Sequence, residues 1–552
     1  MSTDMDIQIN LSSLGWKKSE SGLIHLKGTI IASNKSKNEQ SPFAGIPENK
    51  SQDDWNQFLN LANGFFAMIC KEKQKIIAAV DRIRSIPLFY SQNKKKIFIS
   101  DNAEWIRCKI CDLEMDRRAL EEMQLTGYVT GEDTLYPNIK QLQAGEMLII
   151  EKTNTSTMNF SKHRYYRFLH EEPKKYNESS LLNELDKVAV DLIQRLIDYA
   201  DGRQIVIPLS GGYDSRLIAI LLKRLCYNNI LAFTYGTIGN QESNDSKIVA
   251  DTLGIKWHFV EYNKEQWKGV WNQNERWKFQ KWASGYCTTP HMQDWIAVKI
   301  LKDEGAIDSD CVIVPGHTGD FVAGGHIPNV VFTQAKFAMQ DIAENIFKQH
   351  YSLAPIKLFS INRSDWLKRI LLTVERTTVN SSWELADGIE KWNWQERQAK
   401  FICNSVRAYE YFGYDWWLPL WDRAFMSFWQ KLPLDLRKGK MWYNDYVSSL
   451  FIEYSENSNN IKIKNASTRS EIQLFVQDMI PEWFKSRINT FSVIRSIYYR
   501  LSNFQSFYKV RSLGYFGRYP LRQYFHLIWK GFNPVGLNTK VFLSKLNNKE
   551  SI

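Results

Sequence analysis

The chain has 552 residues, of which 44% are hydrophobic and 24% charged, with a formal net charge of +11. Such a composition excludes a disordered or fibrous chain, and at roughly 100–200 residues per domain the length implies more than one globular unit. No apolar run reaches the roughly eighteen residues of a membrane-spanning helix, so none is predicted, while the positive balance hints at an anionic partner.

The first residues, MSTDMDIQINLSSLGW, lack a basic start followed by an apolar core. No signal peptide is expected, and the location expected is cytoplasmic. The seven cysteines are thinly spread, and Cys108 and Cys111 form a CxxC without a second pair at zinc spacing. They predict free thiols in a reducing compartment.

Residues 1–165 read as β-rich: GLIHLKGTIIA, GFFAMICKEKQKIIAAVD, KKIFIS and GEMLIIEK are β-branched or aromatic runs between polar turns. Residues 33–52 are polar and predict a loop. SLLNELDKVAVDLIQRLIDYA then repeats apolar residues at intervals of three and four, which predicts an amphipathic helix and a domain boundary near residues 160–180. From Ile205 the runs QIVIPLS, NILAFTYG and CVIVPG alternate with helical patterns, as strands buried on both faces of a parallel sheet do. This second unit is assigned to residues 180–480, with an extension over 481–552.

Within VIPLSGGYDSRLIAI (206–220), Ile205–Leu209 reads as strand and Arg216–Leu225 as helix. Gly211 and Gly212 make the turn, where positive φ and close backbone approach meet no steric penalty. Ser210, Ser215 and the turn's N–H groups then face one point above a helix N-terminus, which attracts anions. Asp214 would repel a bare phosphate, and an Mg2+ ion bridging it to pyrophosphate oxygens removes that conflict. The stretch reads as a pyrophosphate-binding loop of an enzyme that cleaves ATP between the α and β phosphates.

The SGGxDS pattern resembles the PP-loop of ATP pyrophosphatases, with Tyr213 at its variable position. NAD synthetase, GMP synthetase, tRNA thiolases and asparagine synthetase share that loop, and other segments choose among them. VIVPGHTGDFVAGGH (312–326) resembles the asparagine synthetase loop SGEGSDELFGGY through Gly316, Asp320, Gly324 and Gly325. WWLPLWDRAFMSFWQKLP resembles the family's PFLD segment through Pro419, Leu420 and Asp422. Upstream, Gly64, Asp81, Arg82, Pro87, Leu88 and Tyr90 match the glutaminase stretch ending in DRxGxxPLYY, and TGYVTGEDTLYPNIKQLQAGEMLII resembles the connector between the two domains. The chain thus resembles the glutamine-hydrolysing asparagine synthetase family over roughly residues 60–435.

The resemblance implies an α+β, Ntn-hydrolase-like (glutaminase-like) domain followed by an α/β PP-loop ATP pyrophosphatase (adenine nucleotide alpha-hydrolase-like) synthetase domain. It implies ATP and Mg2+ as cofactors, with Ser210, Gly211, Gly212, Asp214 and Ser215 around pyrophosphate and Asp214 and Asp320 on the metal. Leu209, Tyr235 and Gly316 would line adenosine through backbone contacts. The implied reaction adenylates a carboxylate, and a nitrogen nucleophile then displaces AMP to leave an amide.

Four departures qualify the resemblance. The catalytic Cys of the CGI pattern is absent, Ser2 stands in second position, and the HRGPD loop that grips glutamine is missing, so a degenerate glutaminase-like domain is expected. His317 stands where the family loop carries a Glu, and is a candidate base for the amine. The late RPK segment is not clear; Lys440, Lys462 and Lys464 are candidates for its Lys. Arg216 and Trp417 replace a small serine and an arginine, which puts the substrate in doubt. Expected partners are a small-molecule or glycan carboxylate and ammonia or an amine, with no nucleic acid. The alternatives are asparagine synthetase proper, a lactam- or macrolactam-forming cyclase, and an inactive nucleotide-binding relative. Finally, Phe484–Lys549 holds no Asp or Glu and interleaves basic and aromatic residues. That mixture suits an anionic membrane surface, or packs as a helical tail.

Overall fold

The computed structural model describes residues 6–12, 15–31, 41–93, 96–152, 158–457, 526 and 530–547. Ser2, Lys462, Lys464 and the basic aromatic residues 484–525 lie outside the described residues. Among the described residues no helix is long and apolar enough to cross a membrane, and all seven cysteines are free thiols.

The N-terminal region stacks two sheets between helices. The larger sheet orders its strands Met158–Arg164, Glu146–Lys152, Lys75–Val80, Asn63–Lys71, Ile24–Ile31 and Trp16–Lys18, all antiparallel. The smaller orders Asp6–Asn10, Lys96–Ser100, Phe89–Asn93 and Lys140–Gln141, the first pair parallel. Strand alternation explains the unbroken apolar runs in the sequence. Along Asn63–Lys71, Ala67 and Ile69 face the core between the sheets. Phe66, Met68 and Cys70 face Trp55 and Leu59 of the covering helix Gln52–Leu61. Helices Ala103–Ile110 and Arg117–Thr126 cover the smaller sheet's outer face.

The helix Glu178–Ala200 leads into a parallel sheet ordered Lys256–Glu261, Ile230–Gly236, Ile205–Pro208, Val312–Ile313 and Asp415–Trp416. Its central strands are buried on both faces, as their continuous hydrophobicity requires. Chain order reverses beside Ile205–Pro208. Connections leave in opposite directions there, so a crevice opens at the carboxyl ends of Ile205–Pro208 and Val312–Ile313. This is why Asp214 and Asp320, far apart in sequence, meet: each follows one of two adjacent central strands.

The domains share a polar seam. Asn63 Nδ2 donates to Asp422 Oδ2 at 2.6 Å, and Asp422 also receives Arg195 at 2.7 and 2.9 Å. Buried Glu122 on the N-terminal side receives Arg369 Nε at 2.9 Å and Tyr351 Oη at 2.7 Å. Lys400 pairs with Glu396, both side chains fully buried, while Gly131 N donates to Glu396 at 3.0 Å and Lys400 donates to Val129 O at 3.1 Å. The described end of the extension, helix Pro534–Asn547, docks on the body. Leu537, Phe542 and Leu543 are buried, and Thr539 and Thr289 hydroxyls meet at 3.0 Å.

Candidate functional site

The strand Ile205–Pro208 ends in the turn Leu209–Gly212, and the helix Tyr213–Arg224 begins immediately, three residues before the predicted start. Ser215 Oγ receives Ser210 N at 3.2 Å and lies 3.3 Å from Ser210 Oγ, while Gly212 N donates to Ser210 Oγ at 3.2 Å. The expectation of positive φ at the glycines is corrected: Gly212 has φ −76°, and neither residue is left-handed. Close approach is what requires Gly211, because a Cβ there would stand 2.6 Å from Asp245 Cβ.

The loop from Val312–Ile313 presses on this turn. A Cβ on Gly316 would stand 2.6 Å from Ser215 N, and one on Gly319 would stand 2.6 Å from Asp214 Oδ1. Only glycines let the two loops touch, and the touching loops bring the acids together. Asp320 N donates to Asp214 Oδ2 at 3.0 Å. Asp214 Oδ1 and the buried Tyr443 hydroxyl fall outside ideal hydrogen-bond geometry, yet they are close enough for the hydroxyl to favour the charged carboxylate. Burial, and then the charge of Asp320, push the Asp214 carboxyl up to about 7. Burial would raise Asp320 as well, but the hydrogen bond and charge from His326, with Lys440 and Arg397, outweigh it and hold that carboxyl low. His326 Nε2 lies 3.1 Å from Asp320 Oδ2, and Asn393 Nδ2 donates to His326 Nδ1 at 2.9 Å, which leaves the ring proton facing Asp320. Two adjacent carboxyls, one raised by burial and by the other's charge, are a donor set that a hard cation would satisfy.

Two joined cavities open above the acids. One, of about 320 Å³, is lined by Ser210, Gly212, Asp214, Ser215, Tyr235, Gly316, His317, Asp320 and Lys440. Most of the site residues read from the sequence are therefore gathered here. Leu209 and Gly211 sit behind that lining: Leu209 N donates to Phe233 O at 2.8 Å, and the Leu209 side chain is buried in the core. The second cavity, of about 310 Å³, shares Asp214, Gly316, His317 and Asp320 and is walled by His291, Asp294, Arg397, Gln398 and Ser405. Burial lowers the basicity of His317 against the pull of Asp294 and Asp320, and Ser405 Oγ lies 3.3 Å from its Nδ1. Burial, then His317 and Arg397, bring His291 down to about 3.

The two replaced residues line neither cavity. Arg216 donates to Gly211 O at 2.9 Å and packs over Phe451, bracing the turn from behind. Trp417 stacks on Tyr199 at 4.4 Å and meets Phe65 edge-on at 4.8 Å.

Sequence reasoning missed His291, Asp294, His326, Arg397 and Tyr443. Asp294 accepts the hydroxyls of Tyr235, at 2.5 Å, and Tyr409. Arg397 belongs to the π-helical segment Trp394–Ile402, whose wide turns set Arg397 and Gln398 on the cavity while Glu396 and Lys400 face the seam. Of these only His326 sits in a motif, at the end of VIVPGHTGDFVAGGH, and the matches there were read from its glycines and Asp320; no local spacing announced the others.

Comparison with known proteins agrees with this layout. Residues 52–166 match the family described as glutamine amidotransferase domain, and residues 200–281 match asparagine synthase. A probable glutamine-hydrolysing asparagine synthetase of Acanthamoeba polyphaga mimivirus is 28% identical over 197 residues, 35% of this chain; the chain spans only 33% of that relative's length. Among solved structures, the NH3-dependent NAD synthetase of Campylobacter jejuni aligns with 27% of this chain and 61% of its own, at 18% identity and a TM-score of 0.20. The glutamine phosphoribosylpyrophosphate amidotransferase of B. subtilis aligns with 55% of this chain and 63% of its own, at 11% identity and a TM-score of 0.17. Nothing below rests on those two partial superpositions. A glutamine amidotransferase match followed by an asparagine synthase match, with the partial mimivirus relative, supports an asparagine synthetase family member.

Proposed function

We propose that the crevice is the active centre of an ATP-dependent amide ligase that forms AMP and pyrophosphate. The observation that supports it is the meeting of the Ser210–Ser215 turn with the buried Asp214–Asp320 pair, two like charges that a cation between them would relieve. In this reading the turn and the N-terminus of helix Tyr213–Arg224 receive the ATP phosphates. Asp214 and Asp320 hold Mg2+, which would neutralise charge on the departing pyrophosphate. A substrate carboxylate oxygen attacks the α-phosphorus and pyrophosphate leaves with the bonding pair. Nitrogen of ammonia or an amine then attacks the acyl carbon, and AMP departs with the electrons of the carbon–oxygen bond. His317, kept unprotonated by burial, takes the proton released from nitrogen, while Lys440 places positive charge beside both acids.

In the same reading the N-terminal domain braces the synthetase instead of hydrolysing glutamine, and the basic aromatic stretch of the extension docks on an anionic membrane. Co-sedimentation with anionic liposomes that fails at low salt would remove the docking. Mixing the protein with ATP, Mg2+ and a panel of acids tests the ligase reading. Acid-dependent pyrophosphate release together with AMP is the expected result, and ADP or no turnover with any acid counts against it.

A further inference from the structure

The second cavity contains a charge that the ligase reading leaves unused. Arg397 lines it, and no described carboxylate or carbonyl lies within hydrogen-bonding distance of its guanidinium. The carboxylates on the same wall act on Arg397 through space, its charge helping to hold Asp320 low, but none pairs with it directly. His291 and His317 are held neutral by burial. Asp294 already accepts two tyrosine hydroxyls, Asp320 is engaged by His326, and Glu396 is turned away to Lys400. Arg397 is half-buried at the cavity wall, and the rigid fork of a guanidinium fits a carboxylate or phosphate in bidentate fashion.

The remaining lining indicates what carries that anion. His291 Nε2 is buried without a partner, and with the ring neutral it offers acceptor or donor capacity but no charge. Gln293, Gln398 and Ser405 add further neutral polar groups. Such a wall suits hydroxyls. The cavity, of about 310 Å³, has room for an organic acid beside Arg397.

We infer that the acid accepted here is a polyhydroxylated acid bearing a second anionic group, received by Arg397, besides the carboxyl that is activated. This rests on the ligase reading for the position of the activated carboxyl, but the selectivity of the cavity can be measured without turnover. Two sources of anion, a carboxylate and a phosphate, share this chemistry.

The test is calorimetric titration in the presence of ATP and Mg2+, with galactarate, galacturonate 1-phosphate, galacturonate and L-aspartate as probes. Galactarate or galacturonate 1-phosphate should bind at least about tenfold tighter than galacturonate, the difference expected of one charge-assisted pair. Which of the two binds more tightly names the anion. Arg397→Met should abolish the preference while leaving ATP binding unchanged, and Arg397→Lys should keep part of it. Arg397→Gln replaces the Met variant where that fails to fold. The inference is overturned by equal binding of the sugar acids or by a preference surviving in Arg397→Met. Tighter binding of L-aspartate than of either anion-bearing sugar acid, or no binding of any probe, overturns it too. Pyrophosphate release measured on the same samples separates the two readings. A preference without release leaves the cavity assignment standing and removes the ligase. Release with acids lacking a second anion does the reverse.

Discussion

Along the seam between the domains, Glu122 receives Arg369, Tyr351 and both the hydroxyl and N–H of Thr130, and Lys400 is enclosed by Glu396 and two carbonyls. In the cleft the same chain leaves His291 Nε2 buried without a partner and the half-buried guanidinium of Arg397 without a direct carboxylate pair. A buried polar group without a partner costs on the order of 1–3 kcal/mol. The seam leaves a few atoms of its own unpartnered, among them Arg407 Nε and Tyr128 Oη, but its buried charges Glu122, Glu396 and Lys400 are each paired. The contrast therefore separates charge that holds the protein together from charge that awaits a ligand, and it can be tested from both sides.

Breaking the seam should give the largest effect. Lys400→Met leaves Glu396 buried and unpaired, and removing one partner of such a pair destabilises by ~3–5 kcal/mol. The denaturant midpoint should fall accordingly, and the double variant with Glu396→Gln should recover part of the loss. A shift below about 1 kcal/mol would show that the seam's charges are not structural.

The acids of the cleft should behave in the opposite sense. Asp214→Asn and Asp320→Asn should each reduce pyrophosphate formation at least about a hundredfold, ~2.7 kcal/mol of lost transition-state stabilisation. Asp214→Asn should not lower the denaturant midpoint, because it relieves the burial and like charge that push this carboxyl up. Normal turnover in either variant would remove the proposed metal site, and a midpoint lowered as far as in Lys400→Met would erase the distinction between seam and cleft.

A smaller effect should follow from His350, which packs against Trp392 at 5.0 Å. Burial, then the charges of Arg397 and His326, depress its folded pKa well below the ordinary value. The unfolded chain therefore binds the proton first. The stability this group contributes is present above about pH 6.5 and is lost as pH falls, by up to ~1.4 kcal/mol per pH unit. His350→Phe should flatten the decline in unfolding free energy between about pH 7 and pH 5.5 by that amount. An unchanged slope would mean that His350 is already protonated in the fold.

The parts of this site that were legible in the sequence are those fixed by local geometry. Ser210, Gly212, Asp214 and Ser215 lie in one turn, so their order along the chain is nearly their order in space. Asp320 and the glycines Gly316, Gly324 and Gly325 could be read only through their resemblance to the family loop; that this second turn meets the first, with room for small residues alone, is visible only in the fold. His291 and Arg397 come from a helix-start segment and a π-helical wall, and they share a cavity only because the seam positions that wall. WNWQERQAKF reads as an ordinary charged helix, since nothing local distinguishes the arginine facing a cavity from the glutamate and lysine that face a domain. Of the two reasons given for Gly211, positive φ failed and close approach held, but the neighbour that makes the approach could not be named from the turn. That neighbour is Asp245, which arrives from the helix Gln241–Leu253 and not from the turn itself.

The smallest expected effect belongs to Ser2, and an effect of zero is informative. The N-terminal residues that match the glutaminase pattern are spent on holding the domain. Asp81 accepts Phe66 N and Ile83 N, each at 2.9 Å, as well as the Ser85 hydroxyl. Arg82 donates to the carbonyls of Ala62 and Asn60, and its own carbonyl receives Trp394 of the synthetase domain at 2.9 Å. These contacts brace the π-helical wall from the far side, which gives the domain a reason to persist without chemistry of its own. Ser2→Ala should then change pyrophosphate formation by less than about twofold, within ~0.4 kcal/mol. Free ammonia or an amine should support turnover where glutamine does not, and the rate should rise with pH as more nitrogen is unprotonated. Glutamate released from glutamine by the wild-type chain and lost in Ser2→Ala would show that the domain hydrolyses as well as braces.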